Sequence, residues 1–266
     1  DKPAVTGDDG QGEVISAGED KHGRQGLFAK VAGATIRNLT IAGNINISNG
    51  GGADILVGGI AGELADAKTC QISGVTVEET ITADCSNSAT NTGVMAGGFF
   101  GGVYNNDAFL ILGTSGDEST LNTAAAKISL KNFADKTVET RINAGGVIGE
   151  VGESDFTFKA NCLKVQGFIT TEAKKKAYVG GLIGVIEGNY DKNNVASPNH
   201  KIEIKDVTFD GFKISADTAT DMCGGLFGSI WANVDMYFSG KTQEKPGLNV
   251  TSATIQAQNA ASVGGL

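Results

Sequence analysis

Gly180-Gly181-Leu182-Ile183-Gly184-Val185-Ile186 decides the fold, because the chain writes the same phrase again and again. Two glycines lead into two apolar residues, a small residue, a variable one and a further apolar one. In that frame the copies read GLFAKV from Gly26, GIAGEL from Gly59, GFFGGV from Gly98, GVIGEV from Gly146, GLIGVI from Gly181 and GLFGSI from Gly225. A divergent pair opens the series at Gln25-Gly26, and a truncated copy ends it at Gly264-Gly265-Leu266. The spacings are 33, 39, 48, 35, 44 and 40 residues, which is the range of architectures that stack one supersecondary unit on the next.

A second block follows in most units: Leu39-Thr40-Ile41-Ala42-Gly43, Val75-Thr76-Val77-Glu78-Glu79, Leu163-Lys164-Val165-Gln166-Gly167 and Val207-Thr208-Phe209-Asp210-Gly211, with weaker versions from Ile128 and Leu248. Apolar and polar residues alternate, the period of a half-buried strand. Short third strands follow, as at Asn44-Ile45-Asn46-Ile47 and Phe212-Lys213-Ile214. Helical spacing is missing, and Gly and Thr occupy places where a helix favours Ala or Leu.

Short strands repeated at one phase are satisfied when the chain winds so that equivalent strands pair in parallel about 4.8 Å apart. The expected fold is all-β, a right-handed parallel β-helix (β-solenoid) of about six irregular coils with loop insertions, the hand following from the rule for parallel crossovers. One such domain spans 1–266, read as a piece of a longer protein because the chain opens on Asp1-Lys2-Pro3 and stops inside a repeat. Gly26, Gly59, Gly98, Gly146, Gly181 and Gly225 are expected at coil corners, where φ must be positive or a neighbouring corner leaves no space for a Cβ. Extra length falls at 104–126, 187–200 and 231–246, rich in loop-forming residues, and predicts insertions protruding from one side.

Composition limits the function classes. Glycine occurs 39 times and proline 3 times with no collagen-like period, while 40% of residues are hydrophobic, so the chain can bury a core. A net charge of −9 offers no footprint for nucleic acid or an anionic membrane surface. Lys174-Lys175-Lys176 is the one basic run and reads as a solvated loop. No apolar run approaches a membrane span. Cys70, Cys85, Cys162 and Cys223 form no CxxC pair, and His22 and His200 stand at no zinc spacing from them. No metal and no cofactor is expected, and the thiols read as small hydrophobes, with a Cys70–Cys85 pair the open alternative.

These motifs resemble the GLUG-type repeats of bacterial surface proteins, built around a G-G-L-hydrophobic-G signal and a short following strand. Asp9-Gly10-Gln11-Gly12-Glu13-Val14-Ile15-Ser16, then Gly26-Leu27-Phe28, then Ala34-Thr35-Ile36-Arg37-Asn38-Leu39-Thr40-Ile41, is similar to the unit that opens such arrays. Ala29 departs from the pattern at the third glycine, and the unit from Gly98 is long. The resemblance implies a secreted or cell-surface bacterial location, an adhesin-like context and a pectin-lyase type of β-helix.

Catalysis is not expected. Carbohydrate-active β-helices gather carboxylates and basic groups on one outward strand face, whereas the outward row read here is Thr40, Thr76, Ser129, Lys164, Thr208 and Asn249. Asp206 and Asp210 flank one strand without an equivalent pair in a neighbouring unit, and Asp8-Asp9-Gly10 lacks the remaining ligands of a calcium loop. Ice binding by the Thr row is weakened by Lys164 and Asn249. The candidate ligand-binding residues are the aromatics in or beside the insertions, Tyr104, Tyr190, Trp231 and Tyr237, with glycans or host-surface proteins as partners beside the flanking coils. The expected function is a non-catalytic structural or adhesive stalk or display scaffold. The alternative is a polysaccharide-processing lyase- or hydrolase-like β-helix whose catalytic coils are absent or unrecognised.

Overall fold

The computed structural model describes residues 4–6, 22–48, 54–65, 68–86, 93–104, 107–114, 116–132, 141–152, 154–173, 176–188, 199–217, 222–240, 247–257 and 262–264. Among them the chain is all-β apart from a single 3-10 turn, Glu118–Thr120, and the strand pairings are parallel. Three sheets of fifteen, seven and six strands result. The seven-stranded sheet holds the strands that run into the Gly-Gly signal: His22–Gln25, Asp54–Gly58, Val94–Gly97, Arg141–Gly145, Lys176–Gly180 and Met222–Gly224, with Ser262–Val263 at its edge. The six-stranded sheet holds those that run out of it: Phe28–Val31, Ala61–Leu64, Phe100–Val103, Ile148–Val151, Ile183–Ile186 and Phe227–Ile230. From the second unit on, register follows the sequence repeat residue for residue, so Ala61, Phe100, Ile148, Ile183 and Phe227 form one column. The first unit is one residue shorter, its incoming Gln25 pairing Val57 while its outgoing Phe28 pairs Ala61.

The glycine pairs do not sit at outer corners with positive φ. None of Gly26, Gly59, Gly98, Gly146, Gly181 and Gly225 adopts left-handed backbone. Gly59, Gly98, Gly146 and Gly181 form an inward bend that points at the middle of the large sheet, at Val77, Ala124, Val165 and Phe209. A Cβ on Gly146 would lie 3.0 Å from Val165 Cγ1, and one on Gly181 would lie 2.6 Å from Phe209 Cε1 and closer still to the Gly225 carbonyl. Space, not conformation, demands glycine there. Positive φ occurs instead at a bend within the large sheet, where Asn38, Gly74, Cys162 and Asp206 occupy equivalent places with φ of 51°, 65°, 50° and 61°. Asn38 and Asp206 tolerate that region through local hydrogen bonding, so glycine, present only at Gly74 of these four, forms no pattern at this corner.

The third glycine of the signal has its own steric reason. A Cβ on Gly62, Gly149 or Gly184 would approach the backbone nitrogen of Gln25, Ala96 or Ala144 to 2.7, 2.5 and 2.6 Å, each on the incoming strand of the preceding unit. The outgoing sheet therefore lies in backbone contact with the incoming one. Ala29 is tolerated because, among the described residues, no strand of the seven-stranded sheet precedes His22–Gln25.

The large sheet corrects the expected strand count. Its first row is Thr35–Arg37, Thr69–Ser73, Ala108–Leu112, the start of Phe156–Val165, the start of Asn199–Asp217, and Asn233–Phe238. The stretch 104–126, expected to protrude, thus contains a core strand: Ala108, Leu110 and Leu112 are buried. Within 231–246, Asn233–Phe238 is likewise a strand, and 187–200 runs into Asn199–Asp217. The outward row is also corrected, since Thr123, not Ser129, aligns with Thr76 and Lys164. Asn122 conceals this in the sequence. It takes the buried place held elsewhere by Leu163 and Val207, accepting from Val75 N at 3.0 Å and donating Nδ2 to Ile72 O at 3.1 Å. The core lies between the large sheet and the two smaller ones, filled by Phe99, Phe100, Phe156, Phe158 and Phe209 with the aliphatic columns. All four cysteines are buried thiols, Cys70, Cys85 and Cys223 of them within this core, and burial pushes the Cys70 thiol up to about 11.

Candidate functional site

Because the incoming and outgoing strands lie face to face, alternate residues of each fall outside the main core and meet in a narrow seam. The incoming side contributes Arg24, Leu56, Met95, Asn143, Tyr178 and Met222, which form one column. The outgoing side contributes Lys30, Glu63, Gly102, Glu150, Val185 and Ser229. This second column is the position that the sequence frame leaves variable. Two polar clusters are built on it.

In the first, Arg24 Nε donates to the buried Glu63, whose other oxygen lies 3.4 Å from Lys30 Nζ. In the second, the Glu150 side chain is fully buried, and Arg141 Nη2 reaches its Oε1 at 3.2 Å. Asn143 Nδ2 donates to Glu150 Oε2, and Arg141 Nη1 donates to Glu187 Oε1. The ring of Tyr104 fills the space left by Gly102 and Gly152, which sets its phenol beside the Glu150 carboxyl. Glu187 also presents its carbonyl to His200 Nε2 at 3.2 Å. Desolvation raises the Glu150 carboxyl to about 7 against the pull of Arg141, and burial lowers the His200 imidazole. Desolvation first, and the Glu150 charge second, hold the Tyr104 phenol well above its usual range. Chemically the cluster can hold a proton near neutrality, and the arginine ties two carboxylates on successive units together.

Of the aromatics chosen from sequence, Tyr104 lies in this seam. Tyr190 falls outside the described residues. Trp231 is 46% exposed and meets Tyr178 edge to face, centroids 6.5 Å apart. Tyr237 stands 57% exposed on the last strand of the large sheet's first row rather than on a loop. Tyr104, Trp231 and Tyr237 are not gathered into one site. Arg141, Asn143, Glu150 and Glu187 were missed because each is a single polar residue on a strand or, for Glu187, just after one, and their convergence depends on which strands share the seam. The one available signal was a Glu repeated at the variable place of the frame, at Glu63 and Glu150.

Outward from the large sheet, Lys131–Glu172, Lys159–Glu203 and Lys164–Asp210 pair at 3.2, 3.1 and 2.8 Å between adjacent strands. Among the described residues no cluster of three His, Cys, Asp or Glu could hold a metal ion, and no helix is long and apolar enough to cross a membrane. No family model, curated protein or solved structure matches the chain.

Proposed function

We propose that the chain is a right-handed parallel β-solenoid of about six coils that serves as a non-catalytic structural or adhesive segment of a secreted or surface-anchored bacterial protein, resembling the GLUG-type arrays. The observation that carries this reading is how the polar groups of the seam are used. Arg24 bonds Glu63 of the next unit, and Arg141 joins Glu150, itself held by Asn143, to Glu187 of the next unit. They lock successive units rather than face a cleft. Lateral stiffness of this kind suits a stalk or display scaffold, with glycan or host-protein contact through exposed aromatics such as Trp231 and Tyr237. A glycan array with purified protein, beside Trp231→Ala and Tyr237→Ala, tests the contact. Binding to a defined glycan class that either substitution reduces at least tenfold is expected. Retention of every signal in both variants overturns the assignment to these aromatics.

A polysaccharide-processing reading is favoured by one feature, the Glu150 carboxyl, which desolvation raises to about 7, close to Glu187, a pairing an acid and a base could use. Release of unsaturated or reducing sugars from anionic polysaccharides, abolished by Glu150→Gln, would replace the scaffold reading with this one.

A further inference from the structure

The outward face of the large sheet carries an aromatic that the repeat does not call for. Asn44, Thr80, Lys127, Phe168, Lys213 and Thr254 hold the same place in successive units and form one column across adjacent strands. The other five are polar, and Phe168 stands 39% exposed among them. Its neighbour Ile169 enters the core in the column of Ile81, Ile128 and Ile214. Strand alternation therefore turns the Phe168 ring to solvent.

Lys127 lies in register on one side of Phe168 and Lys213 on the other, both exposed. Elsewhere on this face Lys131, Lys159 and Lys164 each meet a carboxylate of the next strand. Lys127 and Lys213 meet none among the described residues. Asp210, at the bend before Lys213, is already held by Lys164 and Gln166. Two residues further along the strands, the next outward column is Asn46, Thr82, Ser129, Thr170, Ser215 and Gln256, neutral throughout. The column beyond it, Asp84, Lys131, Glu172 and Asp217, returns to mainly negative charge and bounds the patch.

An aromatic ring between two unpaired ammonium groups, bordered by hydroxyls and amides, complements a polymer with apolar ring faces, many hydroxyls and anions at intervals. We infer that this face binds a linear acidic polysaccharide running along the stack, with a sugar ring over Phe168 and anionic groups at Lys127 and Lys213. The two lysines are two strand spacings apart, about 9.6 Å, so the anions belong on alternate sugars. An extended acidic peptide repeats its same-face side chains about 6.8 Å apart, out of step with them. Nucleic acid, charged at every nucleotide, demands a broader basic footprint than two lysines on a chain of net charge −9. The site is separate from Trp231 and Tyr237, and glycan binding that survives substitution of both leaves it standing. Its failure in turn leaves the scaffold reading in place.

Biolayer interferometry over immobilised hyaluronan, which carries one carboxylate per disaccharide, tests it, with polygalacturonate, single-stranded DNA and polyglutamate alongside. Wild type should bind hyaluronan more tightly than the other three. Phe168→Thr should weaken that binding about tenfold and keep its salt dependence. Lys127→Thr/Lys213→Thr should weaken it as much and flatten the salt dependence. Lys159→Thr, at a paired lysine of the same face, should leave it nearly unchanged. Threonine already stands at this place as Thr80 and Thr254, so the Phe168 and lysine variants should keep the wild-type melting temperature. Phe168→Asn, after Asn44, replaces a Phe168→Thr protein that does not fold. Absence of hyaluronan binding by wild type, equal or tighter binding of any of the other three polymers, unchanged binding in the Phe168 or double lysine variant, or an equal loss in Lys159→Thr would each overturn the inference.

Discussion

Arg141 Nη2 lies 3.2 Å from Glu150 Oε1 across the seam between incoming and outgoing strands, and its Nη1 bonds Glu187 of the following unit. Removing one partner of a buried pair costs more than the pair contributes, because the remaining charge is left without compensation. Arg141→Met should therefore destabilise by about 3 kcal/mol or more. Adding Glu150→Gln and Glu187→Gln to it should recover a large part of the loss. Thermal melts of the single and triple variants check this, and a triple variant no more stable than the single one would refute an electrostatic origin.

Two glycine substitutions separate crowding from conformation. A Cβ on Gly181 meets the Phe209 ring and the Gly225 carbonyl, while Gly211, with φ of 75°, has nothing within 4 Å of the Cβ position. Gly181→Ala should cost about 3 kcal/mol by overpacking. Gly211→Ala should cost about 1 kcal/mol from left-handed strain alone. Chemical denaturation of both proteins measures the order, and equal losses would refute the steric reading of the Gly-Gly pair.

Glu79 predicts acid-side stabilisation. Its Oε2 is buried with no hydrogen-bond partner among the described residues, and desolvation raises the carboxyl from 4.5 to about 7. The folded protein thus holds this proton more tightly than the unfolded chain does. The contribution is fully present below the unfolded value and is lost as pH rises through about 7, amounting to about 3 kcal/mol. Glu150 has the same sign. Glu79→Gln should flatten much of the fall in melting temperature between about pH 5 and about pH 8, leaving the part due to Glu150. An unchanged slope would remove Glu79 as its source.

Legibility differed from place to place for physical reasons. The outgoing strand was readable because every unit after the first must solve the same steric problem, two sheets in backbone contact, and only glycine at positions such as Gly149 and Gly184 solves it. Asn122 was unreadable as a core residue because its amide replaces apolar packing with two backbone hydrogen bonds. Ala108–Leu112 was hidden inside a stretch whose length suggested a loop.

By itself the sequence determined the parallel register, since copies at one phase bring like residues together and set Phe100 on Ala61 and Ile148 on Phe100. Only the tertiary structure decided where the bend points and what the variable position does. Gly181 faces Phe209, and Glu150 meets Arg141, through folding of the incoming strand against the outgoing one. Strand alternation records that a residue is turned inward, but the chain's own local chemistry carries no mark of which of two interiors, the apolar core or the polar seam, that side chain will enter.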